Sequence, residues 1–227
     1  QKVKTLTLEH HMAARRMNFF EMFEPLYRIE DYRTGLLKGE LTAIRFFSDL
    51  VLPVVVAREN KNDFAATAVV RRESPLLKRG VLQAAGTNQL AQVKEAKAGV
   101  ETLMALWADG AGPCFLDVLQ CVANTGLFDV PDVLRPFAVT ENDIQTESEP
   151  DEAANTEEST PEVTEAIHKF LATPFAQIRP YVEYVNGEAA FGTHQGVKGL
   201  EFPRVLVVVD DEEARGFMFS YEKLFGA

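Results

Sequence analysis

The feature that most constrains the fold is a glycine-rich turn near the end of the sequence, followed by a wholly apolar segment. The turn and its flanks read Phe191-Gly192-Thr193-His194-Gln195-Gly196-Val197-Lys198-Gly199-Leu200-Glu201-Phe202. After Pro203 and Arg204 comes the apolar run Val205-Leu206-Val207-Val208-Val209. A run with no polar face is typical of a strand that is buried on both sides in a parallel sheet. The sequence therefore predicts an α/β domain that contains this strand.

The two glycines of the turn shape its backbone. Gly196 and Gly199 allow close approach of the backbone to a ligand and conformations closed to other residues. We expect a loop and a short helical turn over residues 195–201, whose free N–H groups can face a phosphate. The alternative is a plain glycine-rich turn that leads into a buried strand.

Four side chains give this turn its chemistry. Thr193 offers a hydroxyl to a phosphate oxygen, His194 offers a ring that can stack or donate, and Lys198 offers a cation. Glu201 is expected to point away from those three side chains, so one short element could contact two different ligands.

The sequence of residues 193–202 resembles the motif T-x-H-x-x-K-G-L-E-[FW] of UvrD/Rep-type superfamily 1 DNA helicases, with His placed directly after Thr. The resemblance implies that Thr193 and His194 contact single-stranded DNA, and we group the cation of Lys198 with them. It also implies that Glu201 reaches the ribose of ATP and that Gly199 lies beside the nucleotide.

The first residues resemble the start of the second motor domain in that family. Residues 3–8 alternate apolar and polar side chains, as a strand does, and residues 9–17 read as a helix. The family motif here is L-x-x-N-Y-R-S, whose Arg reaches the γ-phosphate of ATP, but Met12 takes the place of that Arg. Arg15 or Arg16, one turn further on, could substitute for it; the alternative is two exposed arginines on a helix.

Apolar spacings of three and four predict helices through most of residues 19–138. The aromatic residues there could stack on bases, but they recur on the buried-face period, which favours core packing. The resemblance implies that this block is the helical 2B insertion, which contacts duplex DNA. The main predicted helices cover residues 41–54 with a kink or break at Pro53, 64–74, 90–107, 115–122, 131–137, 163–171 and 174–185.

The expected fold is therefore α/β, with a partial RecA-like (P-loop NTPase-type) parallel sheet domain interrupted by a mostly α-helical insertion. The opening strand is expected to pair, within one domain, with the apolar strand that follows the turn. The expected divisions are residues 1–18 (first part of domain 2A), 19–139 (2B-like insertion), 140–162 (acidic flexible linker) and 163–227 (helices and then the remainder of domain 2A).

The acidity of the chain is concentrated in one segment. The net charge is −11, yet residues 141–165 hold ten acidic side chains and no Lys or Arg, so the remainder is near −1. The overall charge therefore says little about the partners of the folded parts. We interpret residues 140–162 as a solvated acidic linker, with a tract that mimics DNA as the alternative.

Metal binding and disulfides are not expected. Cys114 and Cys121 are seven residues apart, too far for a disulfide on a helix, and read as reduced thiols. His10 and His11 are adjacent, and neighbouring helical residues rarely share an ion. The acidic run at residues 210–213 looks like the end of a Walker B strand, but in the helicase family that pair lies in the first motor domain.

We expect the C-terminal part of an ATP-dependent DNA helicase of the DNA repair, replication or recombination type. The full-length parent would use ATP and Mg²⁺, bind single-stranded DNA and duplex junctions, and lie in the cytoplasm without a membrane partner. The sequence contains no G-x-x-x-x-G-K-[ST] and ends before the family's next Arg motif, so the isolated chain is expected to be inactive. The alternatives are a non-catalytic helicase-like module that binds DNA or protein, and a helicase–nuclease fusion.

Overall fold

The computed structural model describes residues 5–7, 9–84, 86–108, 110, 112–138, 160–189, 191–193 and 201. Among these residues a π-helical segment, Phe46–Val51, joins the fourth helix to the fifth, and three short 3₁₀ turns lie at Pro75–Leu77, Gly86–Asn88 and Phe175–Gln177. In chain order the strands and α-helices are β1 (Thr5–Thr7), α1 (His10–Arg16), α2 (Phe20–Arg28), α3 (Glu30–Lys38), α4 (Thr42–Arg45), α5 (Leu52–Glu59), α6 (Asp63–Glu73), α7 (Arg79–Ala84), α8 (Gln89–Ala105), α9 (Phe115–Thr125), α10 (Arg135–Ala138), α11 (Pro161–Leu171), α12 (Ile178–Val185) and β2 (Phe191–Thr193).

The predicted fold class, a partial RecA-like parallel sheet domain, is wrong, because the residues that the structure describes are mostly helical. Their strands amount to one parallel pair of three residues each, with Thr5 opposite Phe191 and Thr7 opposite Thr193. The physical reason is that apolar side chains spaced by three and four bury helical faces against one another and leave little chain for a sheet. The apolar run at residues 205–209, which carried the sheet prediction, lies outside the described residues.

The helical periodicity is confirmed for the block before the acidic segment and for the helices after it. The helix predicted from residue 115 is α9, which ends at Gly126 in a left-handed conformation with φ +61°. Glycine is favoured there because it has no Cβ to clash. The helix predicted from residue 163 is α11, which already begins at Pro161 behind an N-cap at Thr160. The rest of the predicted linker, residues 140–159, lies outside the described part of the chain.

The long helix predicted over residues 41–54 changes pitch before its proline. Backbone bonding widens to five residues over Phe46–Val51, so that the N–H of Leu52 donates to the carbonyl of Phe47. Pro53 then lies in the first turn of α5, where the N–H that proline lacks would be unpaired in any case. The π-helical turn keeps Phe46, Phe47 and Val51 all buried.

One aromatic group fills the centre of the helical core. The Phe115 ring lies 4.9 Å from Phe47 and 4.6 Å from Phe170, measured between ring centroids. Phe175 joins the group at 5.3 Å from Phe115, and Trp107 stands edge-on at 5.7 Å from Phe175. Core packing of the aromatic residues, favoured by their spacing, is confirmed for these side chains.

Helices from both sides of the acidic segment share this core. Phe170 of α11 and Phe175 belong to the same buried cluster as Phe47 and Phe115, and α11 packs against α2 and α9. The helices after residue 160 are therefore held by the helices before residue 139.

Three large apolar side chains on predicted helices are exposed rather than buried in the core. Phe64 is 86% exposed, and Leu90 and Val93 are also exposed on α8. On those helices other residues face the core instead: Ala66 and Val70 on α6, and Ala96, Gly99 and Leu103 on α8.

Within the described ranges, no helix combines the length and the apolar character that a bilayer-spanning segment needs.

Candidate functional site

The parallel pairing of β1 and β2 defines the site. Thr5 lies opposite Phe191, 186 positions later, and the register runs on to Thr7 opposite Thr193. Because the strands are parallel, both chains leave the pair at the same end. From that end β1 leads towards α1, and β2 leads into the glycine-rich turn, of which residues 194–200 are not described. The chain leaving β1 and the chain entering the predicted ligand-binding turn therefore start side by side.

The predicted DNA- and ATP-binding residues are only partly placed. Thr193 is the last residue of β2, and Glu201 lies exposed outside any helix or strand. His194, Lys198 and Gly199 lie outside the described residues. The roles assigned to all five residues stay predictions.

Two arginines considered as replacements for the missing phosphate-binding Arg lie in the last turn of α1. Arg15 and Arg16 are both exposed. The Arg15 guanidinium sits 4.3 Å from the centroid of the Phe20 ring, in a cation–π contact that orients it. Met12, which takes the family Arg position, is half-buried beside the buried Ala13. The helix therefore turns its first half towards the protein and offers cations at its C-terminal end.

Two histidines at the start of α1 fix that helix on an aromatic cluster that sequence reasoning missed. The His10 Nδ1 atom is 2.7 Å from the hydroxyl of Tyr184 on α12. The His11 ring stands edge-on to Tyr27 at 4.7 Å and to Phe23 at 5.8 Å, both on α2. The sequence signal was present, since adjacent helical residues point about 100° apart and can contact two different neighbours.

Burial sets the protonation of this cluster. Desolvation lowers the pKa of His11, and the nearby carboxylates of Glu9 and Glu24 only partly oppose that effect. Burial also raises the pKa of Tyr184 to about 12, with the Tyr27 hydroxyl adding to the shift. At neutral pH the Tyr184 phenol is protonated, and the neutral form of His11 is favoured.

The segment that leads into β2 is tied to α2 and α3 by polar contacts. The Gln177 side chain accepts from the N–H of Met22 at 3.0 Å and donates to Glu21 at 2.7 Å. The Tyr181 hydroxyl, which is fully buried, donates to the carbonyl of Leu36 at 2.6 Å. The helical body thereby fixes α12, the helix that precedes β2 in the chain, while α1 makes the contacts to β2.

Among the residues described, no three His, Cys, Asp or Glu side chains gather as a metal ion would require. Both cysteines are free and half-buried rather than in the core. Burial raises the pKa of each thiol, so neither is an activated nucleophile. Cys114 has a structural role, because its Sγ accepts from the N–H of Asp117 at the start of α9.

Comparisons of the chain with protein-family models, with curated proteins and with solved structures returned no match.

Proposed function

We propose that this chain is the C-terminal part of an ATP-dependent DNA helicase of the UvrD/Rep type. The observation that carries the proposal is the amino-acid sequence of residues 193–202, in which a Thr-His pair precedes Lys198, Gly199 and Glu201. In this role Thr193 and His194 contact single-stranded DNA, with the cation of Lys198 nearby. The carboxylate of Glu201 accepts a hydrogen bond from the ribose of ATP, and Gly199 leaves room for the nucleotide.

The order of elements supports the proposal. β1 and β2 are hydrogen-bonded neighbours although 186 positions separate Thr5 from Phe191, and the helices between them form their own core. A helical block inserted between two adjacent strands is the arrangement that the helicase resemblance implies. α1 follows β1 and contacts both β2 and α2, so it connects the strand pair to the helical body.

ATP hydrolysis in this proposal belongs to the full-length parent, which would use ATP and Mg²⁺. The 227 residues contain no G-x-x-x-x-G-K-[ST], so the purified chain alone should show no DNA-stimulated ATPase. The parent would act on single-stranded DNA and duplex junctions. We also propose a cytoplasmic location, which the two free thiols support.

The test is DNA-stimulated ATPase of the full-length parent carrying Thr193→Ala or His194→Ala. Each variant loses a contact to a charged phosphate, so stimulation should fall roughly 10- to 100-fold while ATPase without DNA stays unchanged. Thr5→Ala is the matched control, since it makes the same change at an exposed position of the paired strand. Unchanged stimulation in both variants, or ATPase from the 227-residue chain alone, would contradict the proposal.

A second candidate is a non-catalytic module that binds DNA or protein. The observation that favours it is the mostly helical structure of the described residues, in which the only strands form one short pair. A P-loop upstream of this chain in its gene would favour the helicase, and its absence would favour the module.

A further inference from the structure

An exposed aromatic ring on α6 marks a surface that neither the core nor the helicase motif explains. Phe64 is 86% exposed, whereas every other phenylalanine in the described ranges is buried or half-buried. Residues spaced by three, four, seven and eight share one face of a helix. Five residues at that spacing line an open groove of about 350 Å³, here called the α6 groove: Phe64, Thr67, Ala68, Arg71 and Arg72.

The α6 groove is cationic. Its five lining residues include two arginines and no carboxylate. Arg71 is exposed and forms no ion pair or hydrogen bond with any residue that the structure describes. The carboxylates nearest in sequence are already paired, Asp63 with Arg58 and Glu73 with Arg72. Arg71 therefore keeps its full positive charge for a partner.

The surroundings of the groove strengthen this charge. α6 to α8, residues 63–105, contain six basic and four acidic side chains, a net charge of +2 in a chain whose total is −11. Two of these cations are already paired, Lys78 with Asp129 and Lys97 with Glu101. α6, α7 and α8 all pack on the 3₁₀ turn Pro75–Leu77, so these charges lie in one part of the molecule. A local cationic surface on an acidic protein points to an anionic partner.

We propose that the α6 groove binds single-stranded nucleic acid, with a base stacked on the Phe64 ring and a phosphate held by Arg71. Exposed aromatic faces beside basic side chains are how proteins bind single strands without reading their sequence. Thr67 and Ala68 are small and lie between the ring and the guanidinium, which leaves the groove open along its length. An acidic peptide would match the charge but would give no comparable reason for an exposed flat ring. None of these residues belongs to the helicase motif, so the inference does not rest on the proposed function.

The experiment measures binding of fluorescein-labelled dT20 and rU20 to the 227-residue chain by fluorescence anisotropy across a salt series. Phe64→Ala should raise the Kd roughly 5- to 100-fold, the range expected for one lost base stack, and Phe64→Trp should preserve binding. The logarithm of the association constant falls as the logarithm of the salt concentration rises. Arg71→Ala should make this slope shallower by about 0.7, the value for one phosphate contact on a single strand. Arg45→Ala, which removes an exposed arginine from α4, should leave the Kd nearly unchanged.

Three results would overturn the inference. The first is that Phe64→Ala and Arg71→Ala bind both oligonucleotides with the same Kd as the unsubstituted chain. Another is no binding of either oligonucleotide at low salt. The third is a 20-residue polyglutamate peptide that binds more tightly than dT20 and loses affinity in the same two variants, which would assign the groove to an acidic protein segment.

The same titration separates this groove from the helicase motif. Repeating it with Thr193→Ala/His194→Ala should leave the effect of Phe64→Ala intact, because the two sites share no residue. If Phe64→Ala has no effect while the Thr193 and His194 variants weaken DNA-stimulated ATPase in the parent, the inference fails and the proposed function stands.

Discussion

His10 and His11 connect the helix after β1 to two other helices, and each does so through a different property of imidazole. His10 shares a hydrogen bond of 2.7 Å with the Tyr184 hydroxyl on α12. His11 packs its ring edge-on against Tyr27 and Phe23 on α2. The two residues therefore hold α1, and with it the end of β1, against the body that also positions β2.

Removing the Tyr184 hydroxyl should weaken this connection. Tyr184→Phe leaves the His10 Nδ1 atom without that partner in a half-buried site, which should cost about 0.5–1.5 kcal/mol in the free energy of unfolding. Tyr27→Phe is the control, since no hydrogen bond to the Tyr27 hydroxyl is found among the described residues. Urea unfolding of both variants measures the difference, and equal stabilities would show that the hydrogen bond contributes nothing.

His11 should also make stability depend on pH. Its pKa is lowered in the folded protein by burial, so folding favours the neutral ring. The stability from this group is fully present above the unfolded pKa of about 6.5 and is lost as the pH falls through the lower folded pKa. The His11→Gln variant should therefore lose less stability between pH 7 and pH 5 than the unsubstituted 227-residue chain does, as measured by urea unfolding at each pH. Parallel losses would rule out the role of His11.

At the scale of elements, periodicity predicted most helices but not which of their side chains would be exposed. α8 carries Leu90 and Val93 on the spacing that predicted this helix, yet both are exposed, whereas the core buries Ala96, Gly99 and Leu103 of the same helix. The π-helical turn before Pro53 also escaped prediction, since a period of three and four does not distinguish it from an α-helix. Only the tertiary contacts of each element decide such details.

The C-terminal end of α9 offers a test of local backbone control. Gly126→Ala places a Cβ at φ +61° with its nearest neighbour, a Leu76 methyl, at 4.0 Å, so the cost is conformational rather than steric. We expect a loss of about 1 kcal/mol in the free energy of unfolding. Gly80→Ala is the matched control: its Cβ meets nothing within 4 Å on α7, and it should be neutral or stabilising by up to about 1 kcal/mol. Thermal unfolding would contradict this account if the two substitutions shifted Tm in the same direction.

At the scale of the whole molecule, the order of elements along the chain differs from their order in space. The sequence predicted that the opening strand would pair with the apolar run at residues 205–209. It did not predict that Thr5–Thr7 would pair with Phe191–Thr193, since pairing partners leave no mark on a three-residue strand. The RecA-like sheet was predicted from the apolar run at residues 205–209 and from the family resemblance, not from the helical residues that make up most of the structure. Of the candidate site, the sequence supplied Thr193 and Glu201, whereas the clusters around His10 and Phe64 required the packed structure.

Because helices from both sides of the acidic segment share one core, the described body should unfold as a unit. Phe170 of α11 contacts Phe47 and Phe115 from the earlier helices, so Phe170→Ala should open a cavity and cost about 3–5 kcal/mol. Phe64→Ala makes the same chemical change at an exposed position and should alter the free energy of unfolding by less than about 0.5 kcal/mol.

Trp107, the one tryptophan of the chain, lies 5.7 Å from Phe175 and reports on the junction between the two sets of helices. Its fluorescence and the far-UV circular dichroism should therefore give coincident urea transitions in the unsubstituted 227-residue chain. Phe170→Ala should shift the midpoints of both transitions by the same amount. If α11 and α12 instead formed a separate unit, the fluorescence transition would move to lower urea while most of the helical signal kept its midpoint. That separation would mean that the later helices only rest on the earlier ones, and that β2 could leave β1 without the helical body unfolding.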